Sequence, residues 1–428
     1  MLNPHNPVTA DLLRDPDFVD LSCLDKGRFK RHTDESLFAC YDRIAAVRVS
    51  KSERERLESV NGLNINPHGI LAHLPLRPFV RPISHTCADF AHTYLIDGCL
   101  TWDVWRWLKV IRRECNIRFS DIREYLGAFV WPRYSRSKLD PKSAFSDVRE
   151  SSCMEADKLK MGASELLTVY PALRRFAEKA LPRDKAVAER QSMLLGFKVI
   201  DTWIYLQGRE DATERSRLDT AITEHIRMFE ATTTAPLKLK HHKALAHLTD
   251  HLVKRRRLIW CLGLERKHKK LKSFLAHTCA TKGFEESVTR SFMNEQMHHL
   301  QSEDAMRTGP RLVRARPASQ ELALELGGLS ATMANTIVCG EQTYSLTDVV
   351  FFWNRDEASQ VAIVGSFVQV DGTPFAIITP CARIDEDRWA AGTRVLAVAL
   401  ERLVSPCVWT RDGEAMLVLT PPKLMFPR

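Results

Sequence analysis

Apolar residues recur every three or four positions through most of the first 300 residues, a spacing that predicts a largely helical body. Residues 34–60 are expected to form two short helices, with Thr33 as the N-cap of the first. A further helical block covers 86–113, and Gly98 is expected to break it into two helices. Other amphipathic segments predict helices at about 162–181, 186–207, 214–230, 240–257, 263–280 and 283–300.

Other stretches of the chain lack the helical spacing. Residues 61–82 hold four prolines and two glycines and are expected to be irregular. The polar segment 135–157 predicts a loop, and 301–318 predicts a linker. After the linker, short β-branched and aromatic runs alternate with turn signals such as Asp371-Gly372. Residues 319–428 are therefore expected to form a small β-rich domain.

Composition narrows the class of protein. No run of 18 apolar residues occurs in the 428, so a membrane-spanning helix is not expected. The first twenty residues are polar and acidic and do not fit a secretory signal. Eleven cysteines, an odd number without a CxxC pair, fit a reduced intracellular protein better than a disulfide scaffold.

The net charge of +9 is unevenly distributed. Residues 319–428 hold eight Lys and Arg against thirteen Asp and Glu, a charge of −5, so the first 318 residues hold +14. A basic body of this kind is suited to a polyanion, followed by a domain with a different role. Charge alone does not identify the polyanion.

The first candidate for chemistry is the Asp-x-x-His pattern of Asp89 and His92. At positions i and i+3 of a helix both side chains share a face, so the carboxylate could orient the imidazole or both could approach a metal ion. A helix-start aspartate beside a buried histidine is the more common explanation for so short a pattern.

The second candidate is the segment Lys238–Lys272, which holds twelve Lys and Arg, five His and only two acids. Such a segment is typical of a surface that contacts the phosphate backbone of a nucleic acid. A solvated helix face and a nuclear-import patch at 254–257 are the alternatives. The residues predicted to contact nucleic acid are Lys238, Lys240, Lys243, Lys254, Arg255, Arg256, Arg257, Arg266, Lys267, His268, Lys269, Lys270 and Lys272.

The histidines of this segment admit a zinc site, because His247 and His251 are spaced i and i+4. No cysteine or acid pattern completes a tetrahedral set around them and around His241 and His242. Polar surface is therefore the favoured interpretation of all four.

The third candidate is Glu265, a single acid among Arg266, Lys267, His268 and Lys269. A carboxylate repels phosphate unless a divalent metal ion bridges the two, which is the arrangement of Mg²⁺-dependent phosphoryl-transfer sites. An intrahelical salt bridge with Lys269 is the simpler explanation of Glu265 taken alone.

Four local patterns follow one another along the chain: Asp89 to His92 with Gly98 after it, Lys160 to Glu165, Lys240 to Leu248, and Cys261 to Lys272. In this order they resemble the later part of a DDE-type DNA transposase of the CACTA/En-Spm-like kind. The resemblance covers about residues 30–300.

The resemblance implies an RNase H-like core, interrupted by a helical insertion, that holds divalent metal ions on three carboxylates. Glu265 would be the third carboxylate and a ligand of the metal ions. Asp89 and His92 would belong to an accessory motif that follows the second one. The first two would lie upstream on strands, and the upstream sequence shows no apolar strand that ends in an aspartate. The upstream aspartates considered are Asp20, Asp25 and Asp42.

The sequence thus predicts a mostly helical α+β fold with a partial RNase H-like core and a small β-rich C-terminal domain. The predicted function is a transposase-derived, catalytically incomplete protein that binds DNA without sequence preference, in an intracellular and nuclear location. Mg²⁺ is expected only if catalysis remains, and protein partners are left open. The alternative is a helical scaffold that binds protein or RNA and docks through the β-rich domain.

The predicted divisions are 1–100 (N-terminal helices and partial core), 101–235 (insertion), 236–300 (basic helices), 301–318 (linker) and 319–428 (β-rich domain).

Overall fold

The fold is α+β, with helices in the first 301 residues and antiparallel strands from Arg311 onward. The chain divides into two compact units: unit 1 comprises Met1–Arg106 and Ala188–Trp260, and unit 2 comprises Trp107–Val187 and Cys261–Arg428. The computed structural model describes residues 33–61, 63–85, 88–132, 141–206, 212–234, 237–255, 271–275, 283–301, 309–325, 327, 330–339, 342–354, 356 and 358–419.

The helices follow the predicted spacing closely. Turns of π-helix occur at Ala91–Leu95, Phe176–Ala180 and Ala244–Leu248. None of the helices in the described ranges is long and apolar enough to cross a membrane. The α-helices are α1 (Asp34–Ala46), α2 (Lys51–Asn61), α3 (Pro82–His85), α4 (Cys99–Cys115), α5 (Phe119–Gly127), α6 (Pro141–Ala144), α7 (Asp147–Ala156), α8 (Ala163–Arg175), α9 (Val187–Leu206), α10 (Ala212–Ala231), α11 (Leu239–Lys243), α12 (Thr249–Arg255), α13 (Phe284–Gln301) and α14 (Gln320–Glu325).

Local signals in the sequence explain where several helices begin. Thr33 caps α1 as predicted: its Oγ1 accepts a hydrogen bond from the Ser36 N–H at 3.1 Å, and Ser36 Oγ accepts one from the Thr33 N–H at 2.9 Å. Glu165 closes the start of α8 by accepting from the Gly162 N–H at 2.9 Å. The predicted break at Gly98 is confirmed, since α4 begins at the next residue.

The predicted loop at 135–157 is wrong for its described part, because α6 and α7 lie there. Ser146 caps α7, and its Oγ accepts from the Arg149 N–H at 3.3 Å. Cys153 is the one buried side chain of α7, so the helix has no apolar stripe for the sequence pattern to reveal. The helix predicted at 263–280 lies outside the described residues except for 271–275, which are helical.

The strands are all paired antiparallel, as short β-branched runs separated by turns predict. The longest pair, β7 and β8, turns at Asp371 and Gly372, which both have positive φ, 47° and 83°. The strands are β1 (Arg311–Val313), β2 (Arg316–Pro317), β3 (Ala331–Ala334), β4 (Thr336–Cys339), β5 (Gln342–Ser345), β6 (Val349–Trp353), β7 (Ser359–Val370), β8 (Thr373–Arg383), β9 (Arg388–Ala391), β10 (Leu396–Ala399), β11 (Leu403–Pro406), β12 (Trp409–Asp412) and β13 (Ala415–Val418).

The described strands form a large, curled sheet and a small one. The large sheet has the order β11-β6-β7-β8-β9-β13-β12, with β10 paired to β8, β3 to β7 and β2 to β3. The small sheet has the order β1-β4-β5. Because β1 and β2 pair with strands of this β-rich region, the linker predicted at 301–318 is wrong from Arg311 onward.

Strand β6 explains how the sheet buries both of its faces. Val350 and Phe352 join one apolar cluster, whereas the alternate residues Val349 and Phe351 join another. A strand covered on both sides is a continuous apolar run rather than an alternating one. The RNase H-like core stays a prediction, since the described residues before Arg311 form no strand beyond an isolated bridge at Val130.

The bridge at Val130 joins the segment after α5 to the edge of the large sheet, within unit 2. The Val130 N–H donates to the Trp409 carbonyl at 2.6 Å, and the Trp409 N–H donates back at 3.2 Å. Thr410 Oγ1 donates to the Ala128 carbonyl at 2.7 Å. Residues 128–130 therefore extend the pairing of β12.

We expect Gly98→Ala to destabilise the protein by about 2–3 kcal/mol, because steric overlap at a packed position cannot relax cheaply. A Cβ atom at Gly98 would lie 2.6 Å from the carbonyl oxygens of Thr93 and Tyr94. Urea unfolding followed by circular dichroism measures the difference. Gly309→Ala is the matched control, since a Cβ there meets nothing within 4 Å. Equal stabilities of the two variants would contradict the steric argument.

Candidate functional site

Asp89 and His92 form a hydrogen-bonded pair at the surface of unit 1. Asp89 Oδ2 accepts from the His92 N–H at 2.7 Å and lies 2.8 Å from His92 Nδ1. His92 belongs to the π-helical turn Ala91–Leu95, and its side chain is 48% exposed. The carboxylate thus fixes the orientation of an accessible imidazole, the first of the two arrangements that their spacing predicts.

The histidine-rich segment packs against this pair. The Ala88 N–H, next to Asp89, donates to His251 Nδ1 at 2.6 Å. Lys240 Nζ donates to the Ile96 carbonyl at 2.6 Å, directly after the π-helical turn. Two motifs that the sequence separates by about 150 residues are therefore neighbours within unit 1.

His241 is buried, and the prediction that it belongs to a polar surface is wrong. Its Nδ1 accepts from the Lys238 N–H at 2.9 Å, and its ring lies 5.2 Å from Trp102 and 4.8 Å from Phe229 between centroids. Burial, with His225 and Lys238 nearby, lowers the pKa of His241 to about 3. The missed signal was in the sequence: the buried apolar residues Ala244, Leu245 and Leu248 share its helix face.

The other three histidines form a row along one side of the segment. The ring centroids of His242 and His247 are 5.1 Å apart, and those of His247 and His251 are 6.1 Å apart. In the part of the chain that the structure describes, no group of three His, Cys, Asp or Glu side chains is placed to hold a metal ion. We therefore derive no catalytic step through Mg²⁺ or zinc.

The predicted nucleic-acid contacts have different surroundings. Lys238 is exposed, and its Nζ lies 4.2 Å from the centroid of the Trp102 ring. Lys243 is half-buried, Lys272 is exposed, and 254–255 belong to α12. The predicted residues outside the described ranges are Arg256, Arg257, Glu265, Arg266, Lys267, His268, Lys269 and Lys270.

Of the upstream aspartates, Asp42 has a structural role. Its two carboxylate oxygens accept from Arg77 at 2.6 and 2.7 Å. Hydrogen bonding to this guanidinium lowers the pKa of Asp42. Asp20 and Asp25 lie outside the described residues.

The sequence did not indicate a fully buried polar cluster of unit 1, which is centred on Asp103. Asp103 is fully buried and accepts from Arg106 Nη2 at 2.8 Å and from Ser192 Oγ at 2.6 Å. His225 Nε2 lies 3.0 Å from the same carboxylate, and His225 Nδ1 is hydrogen-bonded to the Tyr94 hydroxyl. We refer to these five residues as the Asp103 network.

Each hydrogen bond of this network pairs one donor with one acceptor. His225 Nε2–H donates to Asp103, and the Tyr94 hydroxyl donates to His225 Nδ1. Burial raises the pKa of Tyr94 well above its ordinary value, so the hydroxyl keeps its proton. Gly196 makes room for the imidazole, since a Cβ there would lie 3.1 Å from His225 Nε2.

The Asp103 network resembles an acid–base relay but has no access to substrate. Tyr94, Asp103 and His225 are all 0% exposed. Its effect is to fix Tyr94, which lies in the same π-helical turn as His92. Through Tyr94, the network therefore fixes the buried side of the turn that carries His92.

We expect Asp103→Asn to lower the free energy of unfolding by about 3 kcal/mol, because it removes a buried charge and leaves Arg106 without compensation. Urea unfolding is the measurement. Asp157→Asn is the control, since Asp157 pairs with Lys109 at 2.7 Å but its side chain is 73% exposed. The control is expected to change stability by less than about 1 kcal/mol. A similar decrease in both variants would contradict the role given to burial.

The low pKa of His241 predicts that stability falls as the pH drops from about 6.5 toward 3. Over that range the unfolded chain binds a proton that the folded protein excludes, which costs about 1.4 kcal/mol per pH unit. His241→Asn keeps an acceptor for the Lys238 N–H but does not titrate. We expect its stability, measured by urea unfolding between pH 4 and 7, to depend on pH more weakly than that of the wild type. Parallel pH profiles would show that His241 is not the group responsible.

A comparison of the chain with known protein families, with curated proteins and with solved structures yields no match. The transposase resemblance therefore rests on the motif residues themselves.

Proposed function

We propose that the chain is a transposase-derived DNA-binding protein whose basic segment, 238–272, contacts the phosphate backbone. The observation that carries the proposal is the contact of this segment with the Asp-x-x-His motif, through His251 with Ala88 and Lys240 with Ile96. The proposal concerns binding and does not require an RNase H-like sheet.

This contact bears on the choice between an interrupted transposase-like core and a helical scaffold, because only the first requires it. A core interrupted by a helical insertion requires the chain to return to the Asp-x-x-His motif after the insertion. A helical scaffold built from successive units imposes no such return. The hydrogen bonds join residues 163 and 144 positions apart, across α4 to α10. This return of the chain supports the proposal of an interrupted core, while the separation of Glu265 from Asp89 and His92 lies outside the described residues.

The chemistry of the segment fits phosphate better than a protein partner. It holds twelve Lys and Arg against two acids. Contacts of this kind are independent of sequence, and they weaken steeply as the salt concentration rises because counterion release then contributes less. The π-helical turn Ala244–Leu248 within the segment is a further feature that is frequent at functional sites.

The proposal covers DNA binding and does not include DNA cleavage. Two-metal cleavage of DNA needs several carboxylates around the ions, and the sequence offers only Asp89 and Glu265 in a fitting context. Asp89 already accepts two hydrogen bonds from His92 on one oxygen. We therefore propose a protein that has kept the DNA contact of a transposase without its full catalytic set.

The test is fluorescence anisotropy of labelled duplex DNA with the full chain at several salt concentrations. Replacing the four residues of 254–257 with alanine is expected to weaken binding. The slope of log K against log[salt] should also become shallower, by about 0.9 for each phosphate that the variant no longer neutralises. The matched control replaces Arg48, Lys51, Arg54 and Arg56, which removes the same charge from the region of α1 and α2.

The control variant is expected to bind like the wild type. Two results would refute the proposal: no binding of duplex at low salt, or equally weakened binding in the two variants. Equal weakening would mean that net charge, and not this segment, accounts for the affinity.

A further inference from the structure

Two cavities meet on the β-rich part of unit 2, in a region for which the sequence suggested only docking. One has a volume of about 340 Å³ and is lined by Trp131, Trp409 and Thr347 among others. The second is a cleft of about 600 Å³ lined by Arg314 and Arg316. Asn335 and Thr336, at the junction of β3 and β4, line both cavities. The cavities are therefore adjacent, and we call the two together the indole–arginine groove.

Two arginines, Arg314 and Arg316, line the cleft end of the groove. Arg314 and Arg316 are exposed, and neither forms an ion pair or a side-chain hydrogen bond with any described residue. Some other arginines of unit 2 are paired with acids, such as Arg149 with Glu165 and Arg388 with Asp385. Two guanidinium groups that face a cleft in this way are suited to phosphate oxygens.

The opposite end of the groove offers flat apolar surface with polar groups around it. Trp409 is partly exposed, and Trp131 is 5% exposed with its Nε1–H donating to the Leu126 carbonyl at 3.0 Å. Thr347 has a φ of 69°, in the left-handed region that a β-branched residue rarely adopts. Strained backbone of this kind is concentrated at binding sites.

The charges of the groove determine the orientation in which a molecule would bind. Asp348 lines the indole end and accepts from the Ser345 N–H at 2.7 Å. Its carboxylate disfavours phosphate there, so phosphate is favoured at the arginine end and an uncharged aromatic group at the indole end. A nucleotide has both parts. Stacking on an indole requires an exposed base face, which a strand inside a duplex does not present.

From this pairing we infer that the indole–arginine groove binds single-stranded DNA, with a base against Trp409 and backbone phosphates on Arg314 and Arg316. The groove is a second nucleic-acid contact that involves none of the residues 238–272. It does not depend on the function proposed above, because its residues belong to another part of the chain and its ligand is unpaired DNA.

The experiment measures binding of a fluorescein-labelled twenty-residue thymidine oligonucleotide to the full chain. Arg314→Ala with Arg316→Ala is expected to weaken binding about tenfold or more at 50 mM salt, and to reduce the salt slope by about 1.4, since each single-strand phosphate contact contributes about 0.7. Arg394→Ala is the control, since Arg394 is exposed in the same region and lines neither cavity.

The base contact is tested separately. Trp409→Leu is expected to weaken binding at least about fivefold, and Trp409→Phe, which keeps an aromatic face, to retain most of it. Trp409 also packs against the apolar cluster around Phe351, so thermal melts must first show that both variants fold. Variants that melt early are excluded, and the arginine variants then decide the question.

Binding of the variants to duplex DNA, measured in parallel, distinguishes this inference from the proposed function. The arginine variants should lose single-strand binding and keep duplex binding, and the alanine variant of 254–257 should do the reverse. Wild-type affinity and salt slope in the double arginine variant would overturn the inference. It would also be overturned if a lysine-rich peptide bound in place of DNA and depended on Trp409 but not on the arginines.

Discussion

The assembly of unit 1 depends on the fully buried carboxylate of Asp103. Removing a carboxylate from water costs several kcal/mol, so the charge is tolerated only where donors surround it. Here the donors come from three helices, since Arg106 lies on α4, Ser192 on α9 and His225 on α10. A shift of α9 or α10 by one residue would remove one of these donors from the buried charge, and we infer that the network fixes their register. Tyr94 extends the same constraint to the π-helical turn that carries His92.

Much of the helical body could be predicted because its causes are local. The Thr33 cap needs only Ser36, three residues on, and the break at Gly98 needs only the carbonyls of the preceding turn. What could not be predicted depends on distant partners. Helix α7 buries a single side chain and so leaves no periodic signal, while β1 and β2 are strands only because β4 and β3 pair with them. Propensity is a weak guide where tertiary pairing decides the state.

The same distinction between local causes and distant partners applies to the candidate site. The Asp89–His92 hydrogen bond follows from a spacing of three residues, so the sequence could predict it. The hydrogen bond from Ala88 to His251 joins residues 163 positions apart, and no local pattern specifies it. His241 shows the intermediate case. Its burial was encoded in the apolar residues beside it, but the surrounding lysines and histidines suggested a polar surface, and composition was the wrong guide.

The same distinction between composition and pairing explains how a domain of negative charge can offer a site for phosphate. Residues 319–428 carry −5, and including Arg311, Arg314 and Arg316 the β-rich region 311–428 carries −2 (eleven Lys and Arg against thirteen Asp and Glu), which suggests that DNA would be repelled. Two of those acids are paired with arginines, Asp385 with Arg388 and Asp387 with Arg175. A carboxylate whose charge is neutralised by a guanidinium at contact distance contributes little field beyond about 10 Å at physiological salt. The local field near the groove is therefore set more by Arg314 and Arg316, which have no acidic partner among the described residues, than by the sum over the domain.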